Sequence, residues 1–465
     1  MNIKKRKSQD KSNPITTTVP SKSIPSLPNR FPLGHAPDLQ KDVLGFFDRC
    51  RATYGNLYAI PIPGVRAFAT TNPDLVQKMF LETEKNFIKS PQMKRFSPLI
   101  GNGLATSEGA FWKRQRKLAT PFFTASAVTS FEGHIRISIE ETLTKWEQSV
   151  GSELDLNEEM AQLTLRIILR SLFSGDGIEN SDLISSSIMT LSKYLMKRFF
   201  APVLLPLSLS FLLHPEAKRA HRQLHTLVYD LIRVRRKTGS EGKKDMLSMF
   251  LSAQDPDTGE TMNDEQIHDE LLTMFFAGFD TTSSALIFAF RLLSENPEQR
   301  ERLEAEADRL VSNAIPTPEE VRSFDVIRRA FEETMRLYPP GYILNRSPID
   351  DYLFEDYLLP AGALVFIPIW TLHRSPELWQ KPTDFDPDRF LKENVQKRHR
   401  CAYVPFATGR RMCIGSNLAM LEGQMIIGSV VKNFRLAHRA NHTPIIKPAM
   451  ALNVVNGMPM KVEKR

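Results

Sequence analysis

Between about Asn263 and Ser294 the chain carries one long helical pattern, and its stretch Leu271 to Leu293 is apolar enough to raise the question of a membrane span. The middle reads Met274-Phe-Phe-Ala-Gly-Phe-Asp-Thr-Thr-Ser-Ser. An aspartate and four consecutive hydroxyl residues at the centre of a lipid span are costly, so the pattern predicts a helix crossing a large protein core. With 465 residues, 42% hydrophobic and 25% charged, the chain can build such a core. Asn263 and Gln266 have the spacing of a capping box at the helix start, and Asn296-Pro297 ends it and opens the next helix.

No internal repeat or long polar linker follows the first thirty residues, which predicts a single folded unit over residues 31–465. Residues 1–30 are rich in Ser, Thr and Pro and hold seven basic residues against Asp10, so they carry +6 of the formal charge of +8 and leave the body nearly neutral. That distribution describes a disordered, solvated basic arm and gives no reason to expect a nucleic-acid partner. The arm has no apolar core of the signal-peptide kind. The three cysteines, Cys50, Cys401 and Cys413, are far apart and lack metal-clip spacing, which suits a reducing compartment and a cytoplasmic location.

Most of the remaining pattern is helical. Asp38 to Tyr54 has apolar residues at helical spacing, Asn72-Pro73 starts another helix, Ala125 to Lys237 holds four to five amphipathic segments, and Ser416 to Val431 is one more. Extended runs are few: Leu57 to Ile62 and Arg66 to Thr70 around Pro63-Gly64, Tyr352 to Leu359 and Leu364 to Pro368 around Pro360-Ala-Gly362, and Ala451 to Val462 with a turn at Asn456-Gly457. The fold class is therefore mostly α with a small β portion. The apolar stretch Ala201 to Leu213, interrupted by Pro202 and Pro206, reads either as buried packing or as a surface that touches lipid or a hydrophobic substrate.

Four constellations carry possible chemistry. In Phe406-Ala-Thr-Gly-Arg-Arg-Met-Cys-Ile-Gly415 a lone cysteine sits between two glycines and behind two arginines. Glycine permits close approach to a flat partner, and Arg410, Arg411 and a following helix N-terminus can favour a thiolate; a small buried cysteine in a turn is the plainer alternative. Trp112 and Arg116 stand one turn apart on a helix, so both could reach a carboxylate of a buried ligand, or simply form a solvated basic face. Thr273, Ala277 and Thr281 share a face of the long helix; small Ala277 and Gly278 admit a flat ligand, and Asp280 with Thr281 can relay protons. A backbone hydrogen bond from Thr281 is the ordinary alternative. Glu333 and Arg336 can pair at i,i+3 just before Pro339-Pro340 stops their helix.

The decapeptide resembles the haem-binding loop of the cytochrome P-450 family at all five fixed positions, Phe406, Gly409, Arg411, Cys413 and Gly415. Ala277-Gly-Phe-Asp280-Thr281-Thr resembles the family's oxygen-activation motif, Trp112-x-x-x-Arg116 its propionate contact, and Glu333-x-x-Arg336 with Arg389 of Phe385-Asp-Pro-Asp-Arg-Phe390 its structural triad. The resemblance covers about residues 31–465 and implies a long central helix over haem b (iron protoporphyrin IX) with Cys413 as axial thiolate. It implies Arg346 as a further propionate contact, Thr281 and Asp280 in proton delivery, and Ala105, Met274, Ala277, Ile343 and Ala451 against the substrate. The implied enzyme is a monooxygenase that inserts one atom of O2 into a hydrophobic substrate of the fatty-acid, terpenoid or steroid kind. Electrons would come from a separate ferredoxin or flavodoxin-type protein, docking on a basic face of Lys113, Arg114, Lys117, Lys397, Arg398, His399, Arg400 and Arg410. A monomer with at most peripheral membrane contact is expected. A peroxygenase or isomerase of the same fold and a non-catalytic haem sensor stay open, and His373 reads as a packing residue rather than a second iron ligand.

Overall fold

The helix Asp264–Glu295 opens on the expected capping box: the Gln266 amide donates to Asn263 Oδ1 at 2.8 Å and the Asn263 amide to Gln266 Oε1 at 3.0 Å. It runs through the core of the computed structural model, which describes residues 22–201 and 204–465. By length and composition the helix could span a membrane, but 83% of its apolar window is buried in protein, which makes it the axis of a core. The helices Leu156–Phe173, Pro215–Thr238, Val326–Leu337 and Ser416–Asn433 pack around it. Gly278 permits one of these approaches. A Cβ there would lie 2.8 Å from Ile168 Cδ1, so the missing side chain seats Leu156–Phe173 against the long helix.

The main sheet has five strands in the spatial order Leu57–Ile62, Val65–Thr70, Leu364–Ile367, Leu344–Pro348 and Phe87–Ile88. The first two form the hairpin expected around Pro63-Gly64, with Tyr58 opposite Ala69 and Ile62 opposite Val65. At the other edge Phe87 pairs with Pro348 and Ile88 with Ser347, so Lys89 follows next in line to Arg346. The run Tyr352 to Leu359 does not continue into this sheet. It folds into its own hairpin, Tyr352–Phe354 with Tyr357–Leu359, turning at Glu355, whose φ is 52°.

Two other expectations change, and one pair of open readings is decided. Asp38 to Tyr54 is not one helix: Asp42, at φ −153°, separates Ala36–Lys41 from Val43–Tyr54 and accepts the Gly45 amide with its own carboxylate at 3.0 Å. A side chain that satisfies a free amide competes with helix continuation. The folded part begins ahead of residue 31, because Leu27 is buried and its amide donates to the Ala59 carbonyl at 3.1 Å. The tail residues 1–21 lie outside the described residues, as does Pro202. The part of the apolar stretch Ala201 to Leu213 that is described from Leu204 to Leu213 is largely left outside the core. Leu204, Leu205, Leu209, Leu212 and Leu213 are exposed, and the short helix Leu207–Leu213 fully buries only Ser210, which meets the Tyr194 hydroxyl at 2.5 Å.

Glu333, Arg336 and Arg389 join the helix Val326–Leu337 to the loop that leads to Cys413. Arg336 donates to both oxygens of Glu333 at 2.7 and 2.8 Å and to the carbonyls of His373, Pro382 and Asp384. All five of its N–H groups are thereby used. Arg389 adds a bond to Glu333 at 3.2 Å and holds the Gln380 and Lys381 carbonyls. His373 is fully buried and its Nε2 accepts the Val404 amide at 2.9 Å, while burial holds its pKa well below the usual value. Among the described contacts this imidazole is a structural acceptor between two loop segments.

Candidate active site

Cys413 sits at the end of a tight loop whose shape is dictated by two backbone needs. Its amide donates to the Phe406 carbonyl at 2.9 Å, and Gly409 turns the chain at φ 72°. A Cβ on Gly409 would stand 2.5 Å from the Phe80 carbonyl oxygen, so both conformation and space require glycine. Gly415 has no such constraint: its φ is −82°, and an added Cβ would meet only Cys413 Sγ, at 4.0 Å. The absent side chain leaves the space beside the sulfur open.

Cys413 is exposed, yet the surrounding protein raises its thiol pKa above the ordinary value through burial, against the Gly415 amide and the positive charge of Arg116. Both observations hold together if the sulfur faces a space enclosed by protein. Burial therefore works against a thiolate on this sulfur, and a bound metal cation would favour one. Neither Arg410 nor Arg411 is the arginine that acts on the sulfur. Arg410 is exposed and reaches toward Glu84 at 3.6 Å, Arg411 turns away to Glu108, and Arg116 takes the role. Cys50 and Cys401 are buried thiols pushed up to about 11 by desolvation.

An interruption of burial appears in the long helix. Met274, Phe275, Phe276, Phe279 and Asp280 are buried, while Ala277 between them is exposed and Gly278 and Thr281 are half-buried. One side of the helix therefore borders an interior space at the Ala277–Thr281 turn. Thr281 donates its hydroxyl to the Ala277 carbonyl at 2.5 Å, the local bond expected of a mid-helix threonine. Asp280 points elsewhere: its Oδ2 accepts the Ala451 amide at 3.3 Å, and it lines a small crevice with Lys193, Ser192 and Asn453. Burial pushes its carboxyl up to about 6, against hydrogen bonds from Asn453 and Ala451.

The basic residues form a cluster with too few counter-ions. Arg411 stacks on Trp112, donates to the Ser107 carbonyl at 3.1 Å and pairs with Glu108. Arg346 is buried beside the Phe80 ring; its Nη1 holds the Asn345 carbonyl at 2.8 Å, and burial and then Arg411 lower its pKa to about 10. The Nε atoms of Arg346 and Arg411 are buried without a hydrogen-bond partner, and Arg116 has no ion pair among the described residues. The Trp112 ring carries Arg411, and Arg116 places its charge near the Cys413 sulfur. A dianionic ligand with a flat body fits this arrangement, because two carboxylates would supply the missing acceptors. Lys89 and Glu108 belong to the same cluster, and nothing in their local spacing announces it; the sheet register beside Arg346 brings Lys89 there.

Of the expected substrate residues, Ala105, Ala277 and Ile343 keep accessible surface. Met274 is buried at 6% exposure, and Ala451 has none, since its amide is turned onto Asp280; the adjacent Met450 keeps some instead. The expected docking face is largely neutralised within the chain. Lys113 pairs with Glu84, Arg114 with Asp255 and Glu260, Lys117 with Asp255 and Asp257, and His399 with Asp74. Arg398 is packed among Trp379, Phe390 and Tyr403, its guanidinium carbon 4.5 to 5.7 Å from their ring centres.

Residues 25–460 match the family model described as Cytochrome P450. A cyclooctat-9-en-7-ol 5-monooxygenase of Streptomyces melanosporofaciens is 30% identical over 91% of this chain and 90% of its own length. A pentalenene oxygenase of Streptomyces avermitilis is 28% identical over 87% and 89%. The crystal structure of the cytochrome P450DA heme domain superposes with a TM-score of 0.86 at 28% identity, covering 96% of this chain and 98% of that one.

Proposed function

This chain belongs to the cytochrome P450 family and is a monooxygenase, and from that premise we propose that Cys413 is the axial ligand of haem b and that the substrate is a hydrophobic molecule, with a terpenoid first among the fatty-acid, terpenoid and steroid classes. The observation that carries this reading is the accessible sulfur of Cys413 in a setting otherwise desolvated, together with an exposed Ala277 in the middle of a buried helix. The named activities of the two Streptomyces relatives favour the terpenoid class.

When bound, the haem supplies O2 activation and transfer of one oxygen atom to the substrate, with the thiolate donating electron density to the iron. The protein's part is placement, charge and protons. Arg346 and Arg411 offer free Nε–H groups to the propionates, and Arg116 adds positive charge near the sulfur. Gly409 and Gly415 shape the loop so that the sulfur has a clear side. The Thr281 hydroxyl holds a proton at the edge of the interior space, bonded to the Ala277 carbonyl until oxygen reduction draws on it. Asp280, with a carboxyl near 6, exchanges protons with the crevice that Lys193, Ser192 and Asn453 line. Ala105 and Ile343, with Met450, present apolar surface to the substrate.

The electron donor in this proposal is of the ferredoxin or flavodoxin type, and the cations left to meet it among the described residues are few, because most of the expected docking face is paired within the chain. Absorbance of the reduced, carbon-monoxide-treated protein tests the ligand: a red-shifted Soret band that disappears in Cys413→Ser is expected, and its absence from the parent protein removes the reading. A panel of terpenoids, fatty acids and steroids scored by the haem spin-state change then tests the substrate class, and shifts confined to fatty acids or steroids would displace the terpenoid assignment.

A further inference from the structure

Lys89 keeps some accessible surface, but its amine is turned inward onto a single loop, and the expected site residues do not include it. Its Nζ donates to three carbonyls of one loop, Leu104 and Ala105 at 2.8 Å and Ser107 at 3.3 Å. Three acceptors for three N–H groups is a complete set. Two of the groups around it are also partners of Arg411: the Ser107 carbonyl accepts from both side chains, and Glu108 accepts the Lys89 amide with Oε1 at 3.1 Å while pairing with Arg411 through Oε2. The sheet register sets Lys89 beside Arg346 on the other flank. Glu270, from the long helix, holds the Leu104 amide at 3.0 Å, so the loop is pinned through Leu104 by an amine on one side and a carboxyl on the other.

We infer that Lys89 is a positioning residue of the haem-anchoring cluster, fixing the 104–108 loop so that Glu108 and the Ser107 carbonyl aim Arg411, and supplying a fourth positive charge on the propionate side. The inference rests on the haem-thiolate reading of Cys413. Whether the Lys89 amine is ionised sets the net charge of this cluster. The charged groups facing it are Arg411, Glu108, Arg346 and Glu270; burial first, then the two arginines, lower its pKa to about 7 against the two carboxylates. Its charge therefore changes within the working range, and a nearby positive charge favours reduced over oxidised iron.

The test is the haem midpoint potential of the loaded protein, measured against pH from about 6 to 9, for the parent chain, Lys89→Met and Lys89→Arg, with the rate of haem transfer to apomyoglobin as a second readout. In the parent the potential falls as pH rises and the amine loses its proton. Lys89→Met starts lower, loses most of that slope and releases haem about ten- to a hundredfold faster, the range for a lost charged hydrogen-bond set. A Lys89→Met protein that keeps the parent's potential profile and haem-release rate, with the thiolate spectrum intact, overturns this inference alone. A parent chain without a haem-thiolate spectrum overturns both this inference and the reading beneath it. Should Lys89→Met fail to accumulate, Lys89→Arg decides: haem held with a flat potential profile supports the role, and an unchanged slope refutes it.

Discussion

Arg411 stacks on Trp112, with the guanidinium carbon 3.5 Å from the centre of the indole. The two residues lie some three hundred positions apart in sequence, and their contact ties the helix Gly109–Ala119 to the cysteine loop. The stack also fills the face of a guanidinium whose edge is committed to Ser107 and Glu108. Trp112→Ala removes a partly desolvated cation–π contact of about 1–2 kcal/mol. Haem release should quicken by roughly tenfold, and Trp112→Phe, which keeps a ring, should recover much of the loss.

For proton delivery, Thr281→Ala leaves the helix intact, since only a local bond to Ala277 is lost. Reducing equivalents should be diverted to hydrogen peroxide, with product per cofactor oxidised falling several-fold. Unchanged coupling would remove Thr281 from the proton path.

Asp280 adds a pH signature. Its carboxyl titrates near 6 in the folded protein because of burial. Asp280→Asn should lower turnover by about a hundredfold, a magnitude common for general acid–base groups, and should flatten the pH response of turnover between about 5 and 7. A variant that keeps the parental profile would show that the carboxyl takes no part.

Glu333 and Arg336 have fully buried side chains, and each satisfies the other. Removing one partner strands the remaining charge, which costs about 3–5 kcal/mol. Glu333→Gln should therefore lose most of its chemical-denaturation stability and with it the haem. Arg389→Ala should be milder, about 1–3 kcal/mol, because Arg336 still holds Glu333.

Glu422, inside the helix Ser416–Asn433 behind the cysteine loop, has no ion pair among the described residues. Burial pushes its carboxyl from 4.5 up to about 8. The folded state holds that proton more tightly than the unfolded chain, so stability falls as pH rises from about 4.5 to about 8 and stays reduced above it. Glu422→Gln should be the more stable protein at pH 8.5, by on the order of 5 kcal/mol, and nearly equal to the parent at pH 4.5. Denaturation midpoints measured at the two pH values give the answer.

The elements set by local chemistry were legible in the residues: the capping box at Asn263, the turn at Pro63-Gly64, the stop at Asn296-Pro297 and the glycine-bounded loop around Cys413. Side-chain direction was not. Arg410, Arg411 and Arg116 look interchangeable as positive charge, and only tertiary packing turns one to solvent, one to Glu108 and one to the sulfur. Gly278 suggested room for a flat ligand, and its missing Cβ admits Ile168. Lys89 could not have been found from its neighbours in sequence, because its partners arrive through pairing of Ile88 with Ser347 and through a loop fifteen residues on. The leucines of the 201–213 stretch show the converse limit: apolar composition signals burial in general and says nothing about which apolar segment is left outside.

The backbone of residues 25–27 lies along Leu57–Ile62, the outermost strand of the main sheet. Those few residues act as a selvedge: they occupy donors and acceptors that another molecule could otherwise pair with. A shortened version beginning at residue 31 should fold around the same core and yet self-associate with time, whereas one beginning at residue 22 should stay dispersed. Light scattering of the two would separate them before any difference in oxygenase turnover emerged.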